Sequence, residues 1–308
     1  MIRNIKEFFI LFLFVIWLTC FVMFFKERID SEIPDVYNNL SEVSHNDRYM
    51  VAWQENGVSL RLPVEYFLIG ALASSIPVEY ESEVLKAQAI LLRSTIYKKY
   101  KESGVEAEGK NNITMRADEI SFWGDKKMQN VWKTQYEANL QKCMEAVIET
   151  QGIYLSYEGQ PICGFYHGMS SGKTRSGKEL VGEEDYGYLK ATDCVDNLSA
   201  PDYEAETEIR IDECGILAEE ERNEAGYIIS VKSDGTLISG EALREKLGLL
   251  SSNVTWTKKG DIYLFRTKGK GHGFGLDQYY GNVLAKKRMD YREILDSFFV
   301  NTTFQRME

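Results

Sequence analysis

The chain is poor in histidine, proline and cysteine, and it has no basic block. Its 308 residues include only His45, His167 and His272, five Pro and five Cys. Metal and triad chemistry is therefore confined to few positions, and no C-x-x-C or His/Cys spacing suggests zinc. Five prolines and the lack of any low-complexity tract argue against large-scale disorder. Lys and Arg number 36 against 47 Asp and Glu, a net charge of -11. Such a chain lacks the phosphate-neutralising surface that gives nucleic-acid binding much of its affinity, and anionic membrane surfaces are disfavoured on the same ground. No internal repeat is visible.

What is present begins with Phe8 to Phe25, 18 residues without a charge. As a helix this run spans about 27 Å, enough for the hydrocarbon core of a bilayer. A signal peptide would have a shorter apolar region and a small-residue cleavage site, so the run reads as one uncleaved transmembrane helix. Arg3 and Lys6 on one side balance Lys26 and Arg28 on the other. Orientation then follows the usual behaviour of a single N-terminal anchor: a single-pass protein of the cell membrane, short tail inside, large domain extracytoplasmic. Residues 1–28 form the tail and anchor, 29–47 a polar stalk, and 48–308 the main domain. Cys20 lies in the apolar run. Cys143, Cys163, Cys194 and Cys214 lie beyond it, where disulfides are permitted and their pairing is open.

The main domain reads as α+β, helices mixed with antiparallel strands. Tyr49–Trp53 and Val58–Leu62 flank an Asn56-Gly57 hairpin signal. Pro63 then opens a short helix running to Gly70. Leu85, Ala89, Leu92 and Ile96 recur at helical spacing, with Lys98, Lys99 and Lys101 at the C-terminal end. A second helix fits Gln135 to Thr150, ended by Gly152. Strands follow over Ile153–Tyr157 and Pro161–His167. Residues 203–262 form a small acidic insert or subdomain. Tyr263–Arg266 is a further strand, and Tyr291–Phe299 a closing helix.

Three segments carry candidate chemistry: Ile76 to Arg93, Phe165 to Thr174, and Gly269 to Gly281. The alternate glycines of Gly269-Lys270-Gly271-His272-Gly273-Phe274-Gly275 do not make G-x-G-x-x-G, and no βαβ unit surrounds them, so a dinucleotide site is rejected. Such glycines let the backbone approach an extended polymer or a partner helix.

In order, these segments resemble the signatures of the stage II sporulation protein D family, which includes amidase-enhancer-like proteins. The family's E-A-L-K-A-Q-A and A-A-R resemble Glu83-Val84-Leu85-Lys86-Ala87-Gln88-Ala89 and Leu91-Leu92-Arg93. Its F-H-S-x-S-G-G-x-T resembles Tyr166 to Thr174, and its G-H-G-x-G-M-S-Q-Y-G-A resembles Gly271 to Gly281. Tyr291 to Leu295 fits its terminal Y-k-e-I-L, and the likeness covers roughly residues 50–300. It implies a glycan cleft and the chemistry of peptidoglycan lytic transglycosylases. One carboxylic acid protonates the glycosidic oxygen, then as carboxylate takes the proton of a C6 hydroxyl to close a 1,6-anhydro ring.

The family's acid is the Glu of an E-M-P motif, 18 residues before the motif arginine. Counting back from Arg93 lands on Ser75, in Ser74-Ser75-Ile76-Pro77. A serine hydroxyl does not deliver a proton near neutral pH. Relatives with a Cys/His cluster downstream of the helix bind metal there; Met115 to Gly124 holds no Cys or His, so neither metal nor other cofactor is expected. Glu79 is the possible substitute acid, while Glu81 and Glu83 suit a helix N-terminus. The resemblance implies that Arg93 orients a carboxylate or binds the lactyl group of muramic acid. It places His167 and His272 beside the cleft. Ser170, Ser171 and Thr174 would bond sugar hydroxyls, and Gln278 and Tyr279 would line the floor, with Tyr188 a weaker candidate.

The expectation is a membrane-anchored wall protein that binds glycan strands with impaired cleavage. An active transglycosylase using Glu79, and a structural ectodomain that activates another wall hydrolase, are the alternatives.

Overall fold

The structure, a computed structural model, describes residues 49–55, 58–104, 112–180 and 186–307. The apolar run, the stalk and the Asn56-Gly57 turn lie outside them. Among the described residues no helix is long and apolar enough to cross a membrane.

Strands β1 (Met50–Glu55) and β2 (Val58–Pro63) form an antiparallel pair, followed by helices α1 (Val64–Ser75) and α2 (Ser82–Glu102). Strand β3 (Asn112–Arg116) returns to β1 in parallel, and α3 (Asp125–Trp132) and α4 (Tyr136–Glu149) come next. Then come β4 (Ile153–Tyr157), β5 (Gln160–Pro161) and β6 (Tyr166–His167). The inserted elements are β7 (Glu204–Arg210), α5 (Ile211–Cys214), β8 (Leu217–Arg222), β9 (Ile228–Ser233), β10 (Thr236–Ser239), α6 (Gly240–Leu247), β11 (Val254–Lys259) and β12 (Ile262–Lys268). The chain closes with β13 (Leu276–Asp277), α7 (Gln278–Lys286), α8 (Tyr291–Phe298) and β14 (Thr302–Arg306). The architecture is α+β and its sheets are mainly antiparallel, with parallel pairing in β1–β3 and β6–β13.

Helix α2 is the axis of the fold. Leu85, Ala89, Leu92 and Ile96 are buried, and so are Ala87, Ile90 and Leu91 on its other faces. It is covered by α1, α4, α7, α8 and β4, so its apolar surface continues all round rather than in one stripe. Helix α1 runs on to Ser75, past the expected end at Gly70. A side chain on Gly70 would meet Phe122 at 2.3 Å, so its bareness lets that ring cross the helix. The Gly70 carbonyl accepts from the Trp123 amide at 3.1 Å.

The expected strand over Pro161–His167 survives only at its ends. Between them the chain crosses α2 so closely that a Cβ on Gly164 would lie 2.3 Å from the Leu91 carbonyl oxygen. The Gly164 amide donates to the Thr95 hydroxyl at 2.9 Å in place of a ladder partner. The inserted elements enclose their own apolar core of Ile209, Leu217, Ile228, Val231, Leu243, Val254, Tyr263 and Phe265, distinct from the core around α2. Among the described residues no disulfide joins Cys143, Cys163, Cys194 and Cys214.

Arg93 is wholly buried, with 0% of its side chain exposed, and it is saturated. Its Nε and Nη2 donate to the two Glu65 carboxylate oxygens at 2.8 and 2.6 Å, and Nη1 donates to the Ile153 carbonyl at 2.9 Å. Glu65 also accepts from the Gly152 amide at 3.2 Å. The pair thus joins the start of α1 and the middle of α2 to the turn before β4. Removing one member of a buried ion pair strands the other charge, at about 3–5 kcal/mol. Glu65→Ala is expected to lower the unfolding free energy by that amount, read from urea denaturation, with a correspondingly earlier midpoint.

Candidate functional site

The second and third signature segments meet through β6 and β13. Leu276 pairs with Tyr166 and Asp277 with His167, in parallel, across more than a hundred residues of chain. The glycine loop before β13 makes this approach possible. Gly275 has φ +70°, and a Cβ there would stand 2.1 Å from the Phe165 carbonyl oxygen. Gly271 has φ +100°, and its Cβ would meet that of His167 at 2.7 Å. The alternate glycines therefore serve the chain's own backbone, not the approach of an extended polymer or a partner helix.

Ser75 ends α1 facing this junction. Its hydroxyl donates to the Leu72 carbonyl at 3.3 Å, with the Tyr166 phenol nearby. Its carbonyl accepts from Gln278 Nε2 at 2.7 Å, and the same amide donates to buried Gln88 at 3.0 Å. Gln278 is thus a tie between α1, α2 and α7. Glu79 lies exposed in the turn after Pro77. That turn is held by Lys142, whose ammonium donates to the Val78 carbonyl at 2.8 Å and to that of Tyr80. The Tyr80 phenol is pushed up to about 12, first by burial and then by the fields of Asp277, Asp202, Tyr279 and Glu79. Ser75, Tyr80, Tyr166, Gln278 and Tyr279 accordingly belong to one region.

Beneath it lies a buried polar knot centred on Asp277. One carboxylate oxygen caps α7 by accepting from the Tyr280 amide at 2.9 Å. The other accepts from the Ser170 amide at 2.8 Å and from Asn197 Nδ2 at 2.5 Å. His167 Nε2 stands 3.8 Å from that oxygen. His167 Nδ1 faces the Phe274 carbonyl at 3.0 Å, and a carbonyl only accepts, so Nδ1 carries the proton. Nε2 is left with no hydrogen-bond partner. Burial lowers the His167 pKa, and the nearby Asp277 charge opposes that shift. The His272 ring lies 5.7 Å away and its Nδ1 accepts from the Phe274 amide at 3.0 Å. Burial, then His167, Arg244 and Arg175, bring its pKa down to about 3. Two neutral imidazoles thus stand behind Tyr166.

Other expected contacts are corrected by burial. Ser170 is buried and its Oγ accepts from Asn197 at 3.0 Å, so it does not face a sugar. Thr174 is buried as well; its hydroxyl donates to the Lys190 carbonyl at 3.0 Å and accepts from the Thr192 amide at 2.8 Å. Ser171 is half-buried, with its amide on the Tyr227 hydroxyl at 3.0 Å and its own hydroxyl on the Ala225 carbonyl at 3.2 Å, tying the signature to the insert. Tyr188 is buried, with its phenol on the Cys163 carbonyl at 3.1 Å. Arg93 sits in the Glu65 pair described above, where no substrate carboxylate reaches it. Asp277, Tyr166, Gln88 and Asn197 were not foreseen as site residues. For Asp277 a signal existed: an aspartate directly before a helical segment is a favoured N-cap.

Residues 54–157 match the model of a family described as stage II sporulation protein. Stage II sporulation protein D of Bacillus subtilis is 29% identical over 255 residues, covering 78% of this chain and 74% of the relative. That of Bacillus amyloliquefaciens is 29% identical over 251 residues, covering 77% and 73%. An uncharacterised protein of Brachyspira hyodysenteriae is 23% identical over 284 residues, covering 86% and 71%.

The two histidines generate a pH dependence of stability. His272 binds its proton near 6.5 when unfolded and near 3 when folded, and His167 shifts the same way. Between those values the unfolded chain holds more protons, so stability is complete above about 6.5 and falls as the pH drops toward about 3. His272→Asn keeps an acceptor for the Phe274 amide and removes the titration. Urea midpoints measured across this window are expected to fall less steeply in that variant.

Proposed function

The chain belongs to the stage II sporulation protein D family, and from that membership we propose a sporulation-related wall protein that binds peptidoglycan glycan strands without cleaving them. The folded part stands outside the cell membrane, held by the apolar run Phe8 to Phe25. Its substrate groove is the region between the end of α1 and the β6–β13 junction.

The observation that carries this reading is the state of Ser75. Transglycosylation needs one group at the scissile bond that gives a proton and then takes one back, with a pKa raised toward the working pH. At this position the chain presents a serine hydroxyl that donates to the Leu72 carbonyl. Around it the tyrosine faces of Tyr80 and Tyr279 supply surfaces on which sugar rings stack, with phenols to bond their hydroxyls. Binding surfaces are retained while the acid is missing. Glu79, exposed in the neighbouring turn, is the carboxylate that a displaced-acid mechanism would use.

The test uses the full-length chain and glycan strands stripped of stem peptides. Strands are expected to carry the protein into the pellet on sedimentation. No 1,6-anhydro ends above background are expected by mass spectrometry, since losing an essential acid costs about two to four orders of magnitude in rate. Anhydro ends formed by the unaltered chain and lost in Glu79→Gln would establish an active enzyme instead. Absence of pelleting at every salt concentration would point to a partner-activating role without glycan.

A further inference from the structure

The loop between β3 and α3 runs along the last turns of α1. The Trp123 amide donates to the Gly70 carbonyl at 3.1 Å, and the Ser74 hydroxyl donates to the Ser121 carbonyl at 2.8 Å. Phe122 crosses the helix between these two contacts, over the bare Gly70. Gly70 precedes Ser75 by five residues, about 7.5 Å along the helix axis. Trp123 is therefore fixed on the flank of the helix whose end borders the groove. Its neighbour Trp132, 6.3 Å away between ring centres, is 8% exposed, whereas Trp123 is only half-buried and keeps part of its surface in water.

Lys127 places its ammonium 5.9 Å from the centre of the Trp123 ring. It is exposed, and among the described residues it pairs with no carboxylate. Asp125, two residues before it, is already engaged: its carboxylate accepts from the Gln129 amide at 2.9 Å and from the Tyr136 hydroxyl. Lys127 also stands in the first turn of α3, where the helix dipole disfavours a cation. Helix stability does not account for its charge. In a chain of net charge -11, an ammonium without an acid beside a half-exposed indole matches a ligand that brings its own carboxylate.

We propose that Trp123 and Lys127 form a subsite for a muramyl residue whose lactyl carboxylate is free, the sugar ring stacking on the indole and the carboxylate meeting the ammonium. The inference rests on the reading of the neighbouring groove as a glycan site. A stem peptide converts that carboxylate to an amide, and removing the peptide restores one negative charge per disaccharide. Arg93 does not take this charge, because it is sealed against Glu65. A strand of N-acetylglucosamine alone offers the same ring faces and no carboxylate. The two residues thus read different features: the indole reads the sugar ring, and the ammonium reads the absence of the peptide. An exposed ion contact is screened by salt, and stacking on an indole is not.

The experiment measures binding of peptide-free strands and of chitin oligomers to the full-length chain, Lys127→Gln and Trp123→Ala, by calorimetry at several salt concentrations. Lys127→Gln is expected to weaken the peptide-free strands about 3- to 5-fold at low salt, to flatten their salt dependence, and to leave chitin oligomers unchanged. Trp123→Ala is expected to weaken both ligands about 10-fold. Lys127→Gln acting equally on both ligands, or on neither, would overturn the carboxylate contact. Trp123→Ala binding both as the unaltered chain does would overturn the stacking. Should Trp123→Ala lose its fold, seen as an early urea midpoint, the exposed Lys127→Gln still decides the subsite through the difference between the two ligands. Strand binding that neither substitution changes sinks the subsite and leaves the groove as a glycan site. No binding of either ligand by the unaltered chain sinks the glycan reading and the subsite with it.

Discussion

The contacts of buried Asp277 are what the β6–β13 junction depends on. One buried carboxylate caps α7, fixes the Ser170 amide and holds Asn197, three contacts from three separate parts of the chain. A charge out of water is costly unless it is well bonded, so the geometry around it is narrowly specified. Gln278 follows it directly and reaches both Ser75 and Gln88. The position of the end of α1 relative to the glycine loop is therefore set through one residue and its neighbour. In the signature resembled by Gly271 to Gly281, serine stands at this place. Both residue types cap helices, but aspartate adds a charge 3.8 Å from His167.

A second buried charge organises the other end of the same helix. Arg93 and Glu65 lock the start of α1 to α2 and to the turn before β4. Helix α1 is thus pinned at Glu65 by an ion pair and at Ser75 by the Gln278 side-chain amide. A twelve-residue helix held at both ends presents its last turn with little play.

Arg93 shows where motif reasoning and physical reasoning part. Its place in the signature was legible, but an arginine in a motif reads equally as a substrate clamp or a core ion pair. Only the neighbouring Glu65, 28 residues away in sequence, decides between them. The same holds for Ser170 and Thr174, polar residue types suited to sugar hydroxyls that the fold spends on Asn197, Lys190 and Thr192. The helices of the core were readable because apolar periodicity is local. The strand expected over Pro161–His167 failed because Gly164 pairs its backbone with a side chain of α2, a tertiary contact that no local pattern encodes. The glycine loop was recognised as a place of close approach, while what approaches it, the chain's own Phe165 and His167, required the fold.

Serine at position 75 suits the end of α1. A carboxylate in the last turn of a helix opposes the dipole, and no basic residue in that turn of α1 relieves it. An enzyme accepts that cost because it raises the carboxyl pKa, which is the property catalysis uses. The same electrostatics favour a neutral side chain at this position. Serine satisfies the helix end by donating to the Leu72 carbonyl. Active sites carry strain in exchange for function, and relaxing them is among the easiest routes to a more stable fold. Around Ser75 no such strain is present: the hydroxyl and the carbonyl at the end of α1 are both hydrogen-bonded.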